Sequence, residues 1–298
     1  MLVGSDFVWA VHRVPVGGTV HSPDEDIYKM PELPEVETLR RALAQELEGK
    51  KLQALHIYEP RLLQNASERE LRRALVGRRL RAVRRRAKFL LLDFGEHTAI
   101  LHLRMTGWPT LRPIKNPRFV FEFSQNKTLY FSDTRRLATL HLVPSADAEK
   151  LPPLAGLGIE PFQPSYTFEN FWAILQSEQE IKKLLLDQRK IAGIGNIYAC
   201  EALFASKIHP RRPANTLSKA EARRLFTQIE RILARAIAEQ GTSVRTYRVL
   251  TGEAGNFQNF LRVYDRAGEP CVRCRAKIVR IEQGGRGTYF CPKCQAHP

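Results

Sequence analysis

Two Cys-x2-Cys pairs near the end of the chain restrict its fold more than any other feature. Cys271 and Cys274 are followed, after sixteen residues, by Cys291 and Cys294. Four thiolates at this spacing can surround one Zn2+ as a tetrahedron, provided the chain between them doubles back. The intervening "IVRIEQGGRGTYF" predicts that reversal as a β-hairpin. Two disulfides are the alternative. However, four of the five cysteines crowd into the last 28 residues, and no secretory signal is evident, which favours a local metal site in a reducing compartment. Such a zinc is expected to hold a shape and to take no part in chemistry. Cys200 stands apart as a small buried apolar residue, and His297 is superfluous to a four-cysteine site.

The hairpin raises the question of what it presents. Arg286 lies between glycines near its tip, with Arg273, Arg275, Lys277 and Arg280 around it. An arginine there is either a solvated turn cation or a group that clamps a phosphate or enters a groove. The charge balance favours the second reading. Lys and Arg number 47 against 31 Asp and Glu, for a net +16, so a polyanion is the expected partner: DNA, RNA or an anionic membrane surface. No apolar run approaches the ~18 residues of a spanning helix. Residues 1–29 carry a net −2, which leaves +18 on the remainder. That segment differs from the body in sign and composition.

The organisation changes along the chain. Pro34 to Gly49 reads as a helix with Val36, Leu39, Leu43 and Leu47 near one face. Over 52–143, "LQALHIY", "KFLLLDF", "AILHL", "RFVFEF", "TLYFSD" and "LATLHLV" read as short strands, with "SQNK" as a hairpin connection, which predicts a sandwich or barrel. Pro152, Pro153, Pro161 and Pro164 mark a shift to helices: "FENFWAIL", "IKKLLLD", "GIGNIYACEALFA", and a longer one opened by a Ser218/Glu221 capping box and closed near Gly241.

Several residues stand out chemically. The Gly193/Gly195 turn before a helix start predicts backbone N–H groups open to a phosphate, with the Asn196 amide adding a donor. The run Arg84, Arg85, Arg86 reads as a solvated basic face, while Lys88, ahead of "FLLL", points from a strand into a cleft. Met105 is the one methionine besides Met1 and Met30. It is either core or an apolar wedge that fills the stack behind a flipped base, with Arg135 and Leu137 as companions. "MPELPEVE" at 30–37 resembles a protein start. A proline at a free N-terminus is a secondary amine, and an α-amino group titrates near ~8, well below lysine. Such an amine can attack a sugar C1′ and form an iminium, with Glu32 placed for proton transfer. Inside a peptide the same nitrogen is an amide.

"MPELPEVETLRRAL", "RRAKFLLLDF", "HLRMTG", "DTRRLATL", "GIGNIYACEALFASKIHP", "VYDRAGEPCVRC" and "GRGTYFCPKC" together resemble the bacterial formamidopyrimidine-DNA glycosylase family, shared with endonuclease VIII-like enzymes. The likeness runs in order from Met30 to about Gln295. It implies an α+β multidomain fold: an N-terminal β-sandwich with flanking helices over 30–150, a helix–two-turn–helix domain over 151–262, and a zinc finger over 263–298, after a non-family extension over 1–29. It implies a monomeric bifunctional enzyme of the bacterial cytoplasm that binds damaged double-stranded DNA, excises an oxidised base and cleaves the strand by β,δ-elimination. By matching position, Pro31 is the Schiff-base nucleophile and Glu32 the proton donor. Lys88 assists β-elimination, and Arg286 binds phosphate and serves δ-elimination. Asn196 contacts phosphate, Lys182 belongs to the substrate-pocket region, and Met105, Arg135 and Leu137 fill the void, with Arg136 following. Cys271, Cys274, Cys291 and Cys294 hold one zinc. Leu137 replaces the usual phenylalanine, and Asn116 stands where a DNA-contacting histidine is common.

Three readings remain at this point. "LTGEAGNFQNFLRVY" (250–264) resembles the loop that caps 8-oxoguanine and favours oxidised purines. An endonuclease VIII-like enzyme for oxidised pyrimidines is the near alternative. A zinc-dependent DNA-binding protein without catalysis follows if residues 1–29 stay on Pro31.

Overall fold

The computed structural model describes residues 30–242, 250 and 255–296. The extension 1–29 and part of the 250–264 loop lie outside the described residues.

The first half is built around an amphipathic helix and two sheets. Helix α1 (Leu33–Leu47) turns Val36, Leu39, Leu43 and Leu47 inward. Strand β1 (Leu52–Ile57) follows, then α2 (Glu68–Leu75). The sequence reading missed α2, although it carries a start signal: the Ser67 N–H donates to Glu70 Oε2 at 2.7 Å, and the Glu70 N–H to Ser67 Oγ at 3.3 Å. Strands β2 (Ala82–Arg86), β3 (Phe89–Asp93), β4 (His97–His102), β5 (Gly107–Thr110), β6 (Phe119–Phe123), β7 (Lys127–Asp133) and β8 (Thr139–Pro144) complete two antiparallel four-stranded sheets. Their orders are β1-β6-β7-β5 and β2-β3-β4-β8.

The sheets face each other as a sandwich. Leu55, Phe119, Phe121, Leu129 and Phe131 of one sheet share a core with Leu90, Leu92, Leu101 and Leu140 of the other and with the apolar stripe of α1. Phe119 and Phe131 stack with ring centroids 4.6 Å apart. Burying one such ring contributes about 1.5–3 kcal/mol. The expected hairpin at 124–127 is present, because Phe123 pairs with Lys127. Strands β2 and β5 escaped the sequence reading. Strand β5 contains Pro109 and sits at a sheet edge, where a missing N–H is tolerated.

The outer face of the second sheet is covered by a 3-10 turn (Ser145–Lys150) and α3 (Pro152–Ala155), which pack Ala148 and Leu154 against Phe89, Leu91 and Ile100. The chain then becomes helical: α4 (Phe168–Leu175), α5 (Ile181–Leu186), α6 (Asn196–Ser206) and α7 (Lys219–Ala238), the last opened by the expected Ser218/Glu221 box. Strands β9 (Val279–Gln283) and β10 (Arg286–Phe290) form the expected terminal hairpin. A single core runs from Tyr166 through α6 and α7 to Ile278, Tyr289 and Cys291, so the hairpin is packed into the helical half.

Of the basic run 84–86, only Arg84 is solvated. The Arg85 side chain is 6% exposed and pairs with Glu37 at 3.0 Å and with Glu160, and Arg86 also pairs with Glu160. Glu160, fully buried, further accepts the Ala87 N–H at 2.8 Å. These bonds tie the inter-half connection to the β2–β3 turn. Lys88 lies in that two-residue turn, between Arg86 and Phe89, and not in a strand.

Candidate functional site

The site forms where the start of α1 meets the start of α6. The Leu33 N–H donates to the Gly193 carbonyl at 3.0 Å. Glu32, 3% exposed, aims its carboxylate at the first turn of α6. Its oxygens accept from the N–H groups of Gly195 at 2.8 Å, Ile197 at 2.9 Å and Tyr198 at 3.4 Å. A Cβ on Gly195 would stand 2.2 Å from Glu32 Cδ, so glycine is required there. The sequence reading offered these N–H groups to a phosphate. In the structure they hold the chain's own carboxylate, which the helix dipole also favours. Asn196 donates instead to the Gly287 carbonyl at 2.8 Å.

Glu35 forms a second buried layer. It accepts the Glu32 N–H at 2.9 Å, the Tyr198 hydroxyl at 2.5 Å and the Thr242 N–H at 2.8 Å. Pro31, buried beside Glu32, therefore opens a segment fixed by two carboxylates. Tyr198 and Thr242 carry no motif in sequence, and only their place around Glu35 marks them.

The charges in this cluster act on one another. Burial pushes the Glu32 carboxyl up, against the opposing pull of Lys88 and the three N–H groups. Burial and the Glu32 charge push Glu35 up to about 7. Burial pushes the Lys88 ammonium down, Glu32 and Glu35 oppose that, and Arg286 adds to it. A carboxyl pushed up beside an amine pushed down is an arrangement suited to proton transfer. His102 adjoins them. It is 7% exposed, its ring packs edge-on to Phe89 at 4.4 Å, and burial, with the charges of Arg104 and Lys88, lowers it to about 3, so it is neutral. Sequence reasoning passed over it, although it stands in "HLRMTG".

Lys182 is fully buried and donates to Thr288 Oγ1 at 2.5 Å, so α5 is bonded to β10 of the hairpin. Arg286 is exposed at the head of β10. The turn before it is Gly284–Gly285, with φ of 60° and 69°, the left-handed pair that a two-residue hairpin turn requires.

A third group lies on the sandwich. Arg135 Nη1 meets Met105 Sδ at 3.1 Å, Met105 is half-buried, and Leu137 is 42% exposed. Asp133, fully buried, organises both loops: it pairs with Thr106 Oγ1 and accepts the Ala138 N–H at 2.8 Å. Arg136 departs from its neighbours and pairs with Glu59 at 3.3 Å.

The four cysteine sulfurs lie within 4.8 Å of one another, with Cys274–Cys291 at 3.4 Å and Cys271–Cys294 at 3.9 Å. A tetrahedron with Zn–S near 2.3 Å places its sulfurs roughly 3.8 Å apart. The cluster thus fits one zinc ion and does not match two disulfides, which need S–S near 2.05 Å. Among the described residues, no helix is long and apolar enough to cross a membrane.

A sandwich and a helical body carrying a four-cysteine hairpin, with a buried Glu–Lys pair where they meet, define the class of zinc-finger DNA glycosylases. The chain belongs to the formamidopyrimidine-DNA glycosylase family. The model of that family's N-terminal domain matches residues 30–140, that of its H2TH domain residues 157–248, and that of the zinc finger found in FPG and IleRS residues 268–296. The formamidopyrimidine-DNA glycosylase of Streptococcus thermophilus is 41% identical over 272 residues, covering 89% of this chain and 99% of its own. That of Listeria innocua is 39% identical, covering 89% and 100%. Among solved structures, a Lactococcus lactis FPG mutant bound to Fapy-dG containing DNA is similar with a TM-score of 0.84 at 36% identity, covering 90% of this chain and all of that one. MutM (FPG) from Thermus thermophilus is similar with a TM-score of 0.82 at 40% identity and the same coverage.

Proposed function

We propose that the chain removes oxidised purines from double-stranded DNA and then cleaves the abasic strand, through the nitrogen of Pro31. The observation that carries this reading is the placement of Glu32, locked by three backbone N–H groups of α6 with Pro31 as its neighbour. The family supports the substrate class. Its relatives are named for formamidopyrimidine, and solved structures similar to this chain hold Fapy-dG or carbocyclic 8-oxo-G in DNA.

The chemistry follows from the residues. A damaged nucleotide is turned out of the stack, and Met105 with Leu137 fills the space it leaves. The Pro31 nitrogen, as a free secondary amine, attacks C1′, and the base departs with the C1′–N bond. Glu32, whose carboxyl burial pushes up, gives a proton to O4′ as the sugar ring opens, and the proton shed by the Pro31 nitrogen passes to the departing base as the iminium forms. Lys88, its ammonium pushed down by burial, assists removal of the C2′ proton, and the C3′–O bond breaks with the phosphate as leaving group. Loss of the C4′ proton then breaks the C5′–O bond, with Arg286 neutralising that phosphate. Water hydrolyses the iminium and frees Pro31. Zinc, held by Cys271, Cys274, Cys291 and Cys294, supplies the fold of the hairpin and nothing to these steps. The protein acts as a monomer in the bacterial cytoplasm. In the intact chain the Met30–Pro31 peptide bond ties up the Pro31 lone pair, so the active form starts at Pro31.

Excision assays on duplexes carrying 8-oxoguanine, formamidopyrimidine or thymine glycol test the substrate reading. The first two should be cleaved faster. Preference for thymine glycol would return the pyrimidine alternative.

A further inference from the structure

Arg286 begins β10 directly after the Gly284–Gly285 turn, and its cross-strand partner is Gln283, the last residue of β9. The Gln283 side chain is buried at 5% exposure. Its Nε2 donates to Glu180 Oε2 at 3.1 Å and to the Pro210 carbonyl at 3.0 Å. These two acceptors fix which way the amide faces, since the reverse orientation would set its oxygen against a carboxylate and a carbonyl. The Oε1 atom has no hydrogen-bond partner among the described residues. If the position needed only packing, an aliphatic side chain would fill it without burying an orphaned acceptor. What glutamine adds is a pair of N–H donors joining the hairpin to the N-terminal end of α5 and to the loop before α7.

The receiving carboxylate is ready for them. Burial pushes Glu180 up, but hydrogen bonds from Lys183 and Gln283 and the charges of Lys183 and Arg211 outweigh it, so its carboxyl lies below the ordinary value. On the other side of Arg286, Asn196 bonds the Gly287 carbonyl and Lys182 bonds Thr288. The tip is therefore held before and after the arginine. The turn itself is two glycines, which restrain the backbone little.

We infer that Gln283 is a positioning residue for Arg286: it locks the Gly284–Gly285 turn to α5, so that the guanidinium is presented to the cleft in one place. This rests on the assignment of Arg286 to the second elimination. Without the clamp the turn pivots on the Asn196 and Lys182 bonds, and the arginine loses its fixed position. Excision and the first elimination use Pro31, Glu32 and Lys88, none of which is hydrogen-bonded to Gln283, so they proceed as before.

The test uses the zinc-loaded, strand-cleaving form on a duplex with a preformed abasic site. Gel analysis counts ends from one elimination, an unsaturated aldehyde, against ends from both, a phosphate. Arg286→Ala is the control. Gln283→Leu removes the donors, Gln283→Glu sets a carboxylate against Glu180, and the double variant Gln283→Glu/Glu180→Gln restores a donor facing an acceptor. The second elimination should slow roughly 3- to 10-fold in both single variants, the scale of one or two buried hydrogen bonds. The first elimination and zinc content should stay at parental levels, and the double variant should regain part of the lost rate, because the Pro210 carbonyl still lacks its donor. A product ratio unchanged in both single variants, with Arg286→Ala shifted, overturns the role of Gln283. So does a joint fall of both eliminations and zinc content that the double variant does not relieve. An unshifted Arg286→Ala overturns the assignment of Arg286 itself.

Discussion

Glu35 illustrates how a buried carboxyl couples chemistry to stability. In the fold it holds its proton up to about pH 7, against 4.5 ordinarily, because burial and the nearby Glu32 disfavour its charge. Between those values the folded state carries a proton that the unfolded chain has released. Stability therefore falls as pH rises through that window, and Glu32, also raised, adds to the fall. Glu35→Gln, neutral throughout, should lose less stability between pH 5 and 7.5 than the parent, read from urea midpoints. An equal loss in both proteins would mean that Glu35 is ionised across the range. Met105 carries a second prediction at this scale. Half-buried against Arg135 and near the exposed Leu137, it is placed to wedge into a stack. Unstacking a base costs a few kcal/mol unless an apolar group fills the gap. Met105→Ala should slow excision of a paired lesion by roughly tenfold while sparing cleavage at a preformed abasic site. Equal losses on both substrates would make Met105 a packing residue.

Among the elements, the zinc hairpin depends most on a single group. Its Ile278, Tyr289 and Cys291 belong to the same core as α6 and α7, so losing the metal disturbs the helical half as well. Cys291→Ser should abolish stoichiometric zinc, lower the melting temperature and remove strand cleavage. Full metal and full activity in that variant would contradict the four-cysteine site. The hairpin was legible in sequence because its ligands, turn glycines and alternation all lie within 24 residues. Helices α1, α4, α5, α6 and α7 were legible for a similar reason: periodicity and capping are local. What escaped depends on distant partners. The charge on Arg85 reads as solvent-facing until Glu37 and Glu160, 48 and 75 residues away, are brought to it. The Gly195 N–H and those of the following first turn of α6 read as open until Glu32, 163 residues before Gly195, occupies them. The sequence places Lys88 in a strand, because "KFLLLD" does not reveal that the two-residue turn includes its first position.

At the scale of the molecule, two cores are joined by carboxylates. Glu32 and Glu35 reach from α1 into the helical half, and Glu160 reaches back from the connection to the β2–β3 turn. These bonds bring Glu32, Lys88 and Arg286, which lie on three separate stretches of sequence, within electrostatic reach of one another in a body of net charge +18. The central claim is that the Pro31 nitrogen is the nucleophile, and its chemistry requires a free amine. The most direct measurement is borohydride trapping on lesion-containing duplex with two forms of the protein, one beginning at Met1 and one at Met30, their N-termini verified by mass. The account predicts a covalent DNA adduct at Pro31 with the second form, after its methionine is removed, and none with the intact first form. Equal trapping and cleavage by the intact Met1 form would contradict it.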